Sequence, residues 1–187
     1  PGLEIMNVGM NPSRTGVLQV LKKMGANIEV KNQRLESGEP CADLVVKKSK
    51  LKGVTLSGKI IPNIIDEIPI ISIAAAFANG DTIIRDATEL RVKESDRLKA
   101  VSEGFSALGI MHENFEDGMS IQGSTNQLFI DQSISIESYD DHRIAMSFLV
   151  AGLKCSNPIT VRNCKNIFTS FPNFVELISS IGYELEK

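Results

Sequence analysis

A loose internal repeat places the strongest constraint on how this chain can fold. Three segments share one order: a short strand, a polar loop, an amphipathic helix, and an apolar residue followed by glycine before another strand. They cover residues 4–30, 82–109 and 160–182, and the third ends with Gly182. Each glycine of the apolar-glycine pair lies where a helix C-terminus favours a left-handed residue. The pattern predicts an α/β architecture of repeated units.

A different kind of helix, apolar nearly all round, precedes the second and third repeats. One is predicted over residues 66–80 and the other over residues 141–152. Such helices belong in the interior of a domain. The first repeat has no such helix before it, so we expect a third one upstream of Pro1 in a parent chain. Without it, the two helices should lie side by side next to an apolar groove that is exposed, filled by rearrangement, or covered by a second copy of the chain.

The segments between the repeats complete this prediction. Residues 42–46 and 121–130 favour further strands. Residues 36–40 and 116–118 are typical of turns, and residues 169–172 are typical of a loop that leads into a helix at Phe174.

The stretch from Arg91 to Leu98 carries two charges where a solvent-facing helix would not place them. Downstream apolar residues mark one helical stripe: Leu98, Val101, Phe105 and Leu108. Extended backwards, this stripe falls on Glu94 and Arg97. A carboxylate and a guanidinium turned inwards at the start of a helix indicate a site for an anionic ligand.

A second charged cluster, Asp140-Asp141-His142-Arg143, opens an otherwise apolar helix. The repeat brings Asp66 and Arg143 to equivalent helix starts, which favours one shared site. Each residue also has a simpler interpretation: Asp66 can be a plain N-cap, and Arg143 can be an ion-pair partner of Asp140. Arginines at helix starts can grip a carboxylate or phosphate, and the carboxylates can move protons.

The composition excludes several classes of function. The 187 residues are 42% hydrophobic, enough for a substantial core, and their net charge of −3 comes with scattered lysines and arginines, which argues against nucleic acid. No apolar run reaches the roughly 18 residues of a membrane span, and the start of the chain lacks a secretory signal. We therefore expect a cytoplasmic protein with no membrane contact. Three cysteines without a C-x-x-C pair and two histidines argue against disulfides and a metal site.

Two motifs together resemble one known family. The sequences Arg-Val-Lys-Glu-Ser-Asp-Arg-Leu at 91–98 and Asp-Asp-His-Arg-Ile-Ala-Met at 140–146 resemble the C-terminal part of the 5-enolpyruvylshikimate-3-phosphate (EPSP) synthase family, the 3-phosphoshikimate 1-carboxyvinyltransferases. Asn-Pro-Ser-Arg-Thr-Gly at 11–16, Asp-Glu-Ile-Pro at 66–69 and Thr-Ser-Phe-Pro at 169–172 extend the resemblance to nearly the whole chain.

The resemblance implies a fold of two domains, each an inside-out α/β barrel of repeated βαβαββ units, with the active site between them. Residues 1–187 would then form the C-terminal domain, truncated at its N-terminal side. The N-terminal domain of the same parent chain would be its partner, and the family's Gly-Asp-Lys-Ser motif is absent from this sequence.

The implied reaction transfers the enolpyruvyl group of phosphoenolpyruvate to the 5-hydroxyl of shikimate 3-phosphate and releases phosphate. By the resemblance, Asp66 binds the shikimate hydroxyls and accepts a proton, while Glu94 protonates and later deprotonates the enol carbon. Lys93 matches the lysine of the shikimate phosphate site, and Arg97 and Arg143 match the pair that holds phosphoenolpyruvate. No metal or organic cofactor is implied.

Two positions depart from the pattern of some family members. Thr169 stands where they have a lysine that touches phosphoenolpyruvate, and Glu89 stands where they have an asparagine that binds the shikimate phosphate. Glyphosate sensitivity therefore stays open.

Two alternative functions also stay open. One is a non-catalytic anion-binding or interaction module. The other is the UDP-N-acetylglucosamine enolpyruvyl transferase, which shares the fold but is not expected to carry the Lys-Glu-Ser-Asp-Arg group. Under the leading interpretation the isolated chain is inactive, because it holds only one side of the cleft.

Overall fold

The computed structural model describes residues 2–185, and residues 1, 186 and 187 of the predicted domain lie outside this range. Within it the chain forms nine strands and six α-helices. Their order is β1 (Gly2–Gly9), α1 (Gly16–Lys23), β2 (Asn27–Glu36), β3 (Glu39–Lys47), β4 (Thr55–Leu56), α2 (Ile68–Ala76), β5 (Gly80–Ile84), α3 (Arg97–Leu108), β6 (His112–Phe115), β7 (Gly118–Gly123), β8 (Ser135–Glu137), α4 (His142–Gly152), β9 (Thr160–Arg162), α5 (Lys165–Ser170) and α6 (Phe174–Ser180). Short 3-10 helices cover Gly58–Asn63, Ile65–Glu67 and Thr88–Val92.

The middle of the chain contains one complete copy of the repeat. From β4 to β7 the elements follow the order βαβαββ, and their strands form a sheet in the order β4-β5-β7-β6. The first two strands are parallel, and the other two pairings are antiparallel. The sheet β1-β3-β2 has the same order and antiparallel pairing as β5-β7-β6, while β8 and β9 are parallel as β4 and β5 are. The predicted repeat is confirmed.

The predicted glycine at the end of each amphipathic helix is also confirmed. Gly109 follows α3 with φ of 69°, and Gly25 and Gly182 have φ of 95° and 94°. These left-handed conformations suit glycine because it has no Cβ to clash with the following carbonyl.

The two predicted interior helices, α2 and α4, lie side by side. Ile68 and Ile71 of α2 and Ile144 and Phe148 of α4 are buried. Helix α3 packs closely against α4 at Gly104. A Cβ added at this position would lie 2.0 Å from Cζ of Phe148. Burial of these apolar faces stabilises the arrangement and brings the N-terminal ends of α2, α3 and α4 towards one another.

An open apolar groove of about 280 Å³ runs along α1, α2 and α4. Its walls include Val17, Ile70, Phe77 and Val150, with Lys154 as the charged residue. The groove that the uneven helix count predicts is therefore present and exposed in the monomer. Among residues 2–185, no helix is long and apolar enough to cross a membrane.

Several segments differ from the sequence prediction. The interior helix predicted over residues 66–80 is shorter, because α2 covers Ile68–Ala76 and Gly80 is the first residue of β5. The strand predicted over residues 121–130 ends at Gly123, because this residue pairs with Gly80, where the partner strand β5 begins. The loop predicted over residues 169–172 starts later, because α5 continues to Ser170.

Candidate active site

The guanidinium of Arg97 is the centre of a buried ionic cluster. Its Nε donates to Asp141 Oδ2 at 2.8 Å, its Nη1 to Asp66 Oδ1 at 3.0 Å, and its Nη2 to Glu94 Oε2 at 2.5 Å. Arg97 is only 1% exposed. Burial acts to lower the pKa of Arg97, but the bond to Asp141 and the other carboxylates raises it above its ordinary value. The guanidinium is therefore charged at all relevant pH values.

Local sequence explains how Arg97 reaches this position. Asp96 is the N-cap of α3, and its carboxylate accepts the backbone N–H of Lys99 at 3.0 Å. Arg97 is thus the first helical residue, on the same buried face as Val101 one turn later. Glu94 lies in the turn before α3 and is not part of the helix. The helical stripe nevertheless predicts that its side chain lies on the same side as Arg97.

Asp66 connects the start of α2 to this cluster. It belongs to the 3-10 helix Ile65–Glu67, and its carboxylate lies 3.0 Å from Arg97, 3.6 Å from Lys93 and 3.9 Å from Arg143. The interpretation of Asp66 as a plain N-cap is wrong, because Glu67 holds the N-cap position of α2. Burial acts to raise the pKa of Asp66, but the neighbouring cations, Arg143 first, lower it below its ordinary value.

Lys93 lies between two carboxylates. Its Nζ is 2.5 Å from Glu89 Oε1 and 3.6 Å from Asp66 Oδ1. The hydrogen bond to Glu89 is the main cause that raises the pKa of Lys93. This lysine is consequently a fixed positive charge at the edge of the cluster.

Arg143 points from the start of α4 towards the start of α2. Its Nη1 donates to the backbone oxygen of Asp66 at 3.0 Å and to Glu67 Oε1 at 3.1 Å. The structure thus assigns it partners in the 3-10 helix Ile65–Glu67 before α2 and not Asp140, the alternative that the sequence suggested. Its side chain keeps 30% exposure, so it is accessible to a ligand.

Asp141 is part of the cluster, although the sequence prediction treated it only as a helix cap. Its side chain is fully buried, and it caps α4 while it also accepts from Arg97. Burial acts to raise the pKa of Asp141, but Arg97 and the backbone of α4 lower it below its ordinary value. The signal in the sequence that could have indicated this role of Asp141 was the pair of adjacent carboxylates, Asp140 and Asp141, before an apolar helix.

The cluster combines fixed cations with carboxylates of different exposure. Five predicted site residues, Asp66, Lys93, Glu94, Arg97 and Arg143, come together at one end of the interior helices. Glu94 is the most accessible of them, with half of its side chain exposed. Fixed cations beside ionised carboxylates suit reactions in which charge and protons move together. Within residues 2–185, no group of histidine, cysteine and carboxylate side chains is arranged to hold a metal ion.

Comparison with known proteins agrees with this geometry. The family model described as EPSP synthase (3-phosphoshikimate 1-carboxyvinyltransferase) matches residues 2–178. The chain belongs to the EPSP synthase family. A 3-phosphoshikimate 1-carboxyvinyltransferase from Magnetococcus marinus is 48% identical over the whole chain, and one from Coxiella burnetii is 47% identical over 98% of it. The chain spans only 42% and 41% of the length of these relatives.

Solved structures confirm the predicted fold. An EPSP synthase from Acinetobacter baumannii matches 99% of this chain with a TM-score of 0.93 and 44% identity, and the match covers 42% of that protein. The enolpyruvyl transferase NikO from Streptomyces tendae matches 97% of this chain with a TM-score of 0.73 at 18% identity, which shows the fold alone. The chain therefore has the α/β fold of the enolpyruvyl transferases, with its repeated βαβαββ unit.

Proposed function

We propose that this chain is the C-terminal domain, residues 1–187, of a two-domain 3-phosphoshikimate 1-carboxyvinyltransferase. The protein would transfer the enolpyruvyl group of phosphoenolpyruvate to the 5-hydroxyl of shikimate 3-phosphate and release phosphate. The observation that carries this proposal is the single cluster formed around Arg97 by the two family motifs and Asp66. Its partner would be the N-terminal domain of the same chain.

The carboxylates of the cluster supply the proton transfers. Addition of the hydroxyl to phosphoenolpyruvate requires one proton to leave the hydroxyl and another to reach the enol carbon. Asp66 takes the hydroxyl proton, and Glu94 in its protonated form gives a proton to the enol carbon. When the tetrahedral intermediate collapses, Glu94 takes a proton back from the newly formed methyl group, and Asp66 gives its proton to the departing phosphate. Lys93 stabilises the charge that develops beside the reacting hydroxyl.

The two arginines hold phosphoenolpyruvate. Arg143 is partly exposed, whereas the guanidinium of Arg97 is covered by carboxylates. An anion that contacts Arg97 must replace a carboxylate, and Glu94 is the one exposed enough to move. Binding of phosphoenolpyruvate would therefore release Glu94 from Arg97, and the freed carboxylate would take up from solvent the proton that it then gives to the enol carbon.

Several inferences from the sequence stay predictions under this proposal. They are the absence of a cofactor, the cytoplasmic location and the self-association of the chain through its apolar groove. The UDP-sugar transferase is the less supported alternative, because the relatives at 47–48% identity are described as 3-phosphoshikimate 1-carboxyvinyltransferases.

Phosphate release by the purified full-length protein tests the proposal. We expect release that requires both phosphoenolpyruvate and shikimate 3-phosphate. Release with UDP-N-acetylglucosamine as the acceptor would support the sister transferase. Binding of either anion without phosphate release under any pairing would support the non-catalytic module.

A further inference from the structure

Asp141 joins two elements through a single carboxylate. Its Oδ1 accepts the backbone N–H groups of Arg143 at 2.9 Å and Ile144 at 3.5 Å, which caps α4. Its Oδ2 accepts from Nε of Arg97 at 2.8 Å and from Oγ of Ser95 at 3.1 Å. One oxygen therefore fixes the helix that carries Arg143, and the other fixes the turn and guanidinium of Arg97.

The turn before Asp141 is held in an uncommon conformation. Tyr139 and Asp140 both have φ of 56°, a left-handed geometry that residues other than glycine adopt infrequently. Hydrogen bonds hold this turn: the N–H of Tyr139 donates to Glu137 Oε1 at 3.0 Å, and Nδ2 of Asn166 donates to the backbone oxygen of Asp140. The surrounding structure thus determines where the Asp141 carboxylate lies.

A helix cap alone does not explain this arrangement. Serine, asparagine and aspartate cap helices about equally well, and the cap uses only Oδ1. The bond from Arg97 Nε to Oδ2 is an additional contact between two fully buried side chains. A buried pair of this kind is costly to desolvate, so it is weak as a source of stability but effective in fixing geometry.

We propose that Asp141 is a positioning residue that holds Arg97 and Arg143 in a fixed relation, so that both can grip the same anion. This inference rests on the proposed function for its effect on phosphoenolpyruvate. Asp141 itself does not touch the substrate. Its contribution is to keep the Arg97 guanidinium oriented when Glu94 moves away.

The Asp141→Asn variant of the full-length protein tests the inference. Asparagine keeps the cap on α4, but its amide N–H₂ faces Arg97 Nε–H, so the charge-assisted hydrogen bond is lost. We expect the KM for phosphoenolpyruvate to rise at least about tenfold, with a much smaller change in kcat and in the KM for shikimate 3-phosphate. Asp96→Asn is the matched control, because one oxygen of Asp96 caps α3 and the other accepts from Arg91 at 3.1 Å, while the carboxylates that accept from Arg97 are Asp141, Asp66 and Glu94. The control should change these constants less than about twofold.

A second measurement is independent of catalysis. In protein with isotope-labelled arginine side chains, the Nε–H of Arg97 should exchange slowly with solvent in the native protein and in Asp96→Asn, and much faster in Asp141→Asn. The Arg97→Lys variant assigns the signal. Rapid exchange in the native protein would overturn the inference without any activity data or a folded Asp141 variant.

The remaining outcomes separate the two proposals. An unchanged KM for phosphoenolpyruvate in a folded Asp141→Asn protein overturns the positioning role. Equal losses in both KM values and kcat, together with a lower Tm, indicate a purely structural cap and also overturn it. If the native full-length protein releases no phosphate, the proposed function fails, while the exchange measurement still decides whether Asp141 orients Arg97.

Discussion

Glu94 differs from the other carboxylates around Arg97 in being half exposed. Asp141 has no exposed side-chain surface and Asp66 has 34%, whereas Glu94 has 52%. A group that must meet a substrate carbon needs this freedom, while the buried carboxylates are suited to holding the guanidinium. The arrangement therefore distinguishes a group that can move from groups that position.

The Glu94→Gln variant should lower kcat of the full-length protein by about 100- to 10,000-fold, because the amide keeps the shape but cannot transfer a proton. Its Tm should stay close to that of the native protein, since the side chain is half exposed. Glu113→Gln, an exposed residue of β6, is the matched control and should keep full activity. Near-native turnover in Glu94→Gln would show that another group transfers the proton.

Under the proposed function, Glu89 would compete with the phosphate of shikimate 3-phosphate for Lys93. The two side chains form an ion pair at 2.5 Å, and Glu89 is 61% exposed, so the pair is weak in free energy. Glu89→Gln should free the lysine and lower the KM for shikimate 3-phosphate by about two- to fivefold. Steady-state kinetics at two salt concentrations measures this, and a raised KM would instead mean that Glu89 positions Lys93 for binding.

The residue types and the helix starts of the site were predictable from sequence, but several contacts were not. The stripe before α3 indicated that Glu94 and Arg97 turn inwards; Arg97 does, whereas Glu94 contacts Arg97 but keeps half of its side chain exposed. The sequence suggested Asp140 as the ion-pair partner of Arg143, and the contact with Glu67 was not predicted because it depends on how α2 and α4 pack. The contact of Asp141 with Arg97 also depends on how the helices pack. The local sequence around α4 carries no information about that packing.

At the scale of elements, α3 and α4 meet at a position that only glycine allows. Gly104→Ala places a Cβ 2.0 Å from the Phe148 ring, so it should destabilise the chain by about 1–3 kcal/mol despite the better helix propensity of alanine. The matched control is Gly152→Ala at the end of α4, where the nearest side-chain atom, of Ile159, is 3.4 Å away. Chemical denaturation should show the control unchanged or stabilised by up to about 1 kcal/mol. Equal stability of the two variants would mean that α3 and α4 are less closely packed.

Helices with a clear apolar period were predicted better than strand and loop ends. The start of α4 agrees to within one residue because Asp141 is a strong N-cap signal. The end of β7 was missed because it is set by the start of its partner β5, a long-range feature. Helix α5 at residues 165–170 has no such signal, because Cys164 at its N-cap position makes no side-chain hydrogen bond to the helix.

At the scale of the whole molecule, the cluster carries more negative than positive charge. Three cations, Lys93, Arg97 and Arg143, have five carboxylates as partners, and these are Asp66, Glu67, Glu89, Glu94 and Asp141. Both proposed substrates are anions with several charges. Tight binding of both therefore requires cations beyond those of this cluster, and the other domain of the proposed protein is where we expect them.

The isolated chain should accordingly fold but show no turnover. Its core is formed by its own repeated units, so circular dichroism should show a cooperative thermal transition. Without the opposing side of the cleft, the reactants lose both charge compensation and orientation, and orientation alone is worth about 7–11 kcal/mol of the barrier in well-placed reactions. Phosphate release with phosphoenolpyruvate and shikimate 3-phosphate should stay at the buffer rate, with the full-length protein at the same concentration as the positive control. Turnover near that of the full-length protein would contradict the two-domain proposal, because it would place a complete active site on the Arg97 cluster of this chain alone.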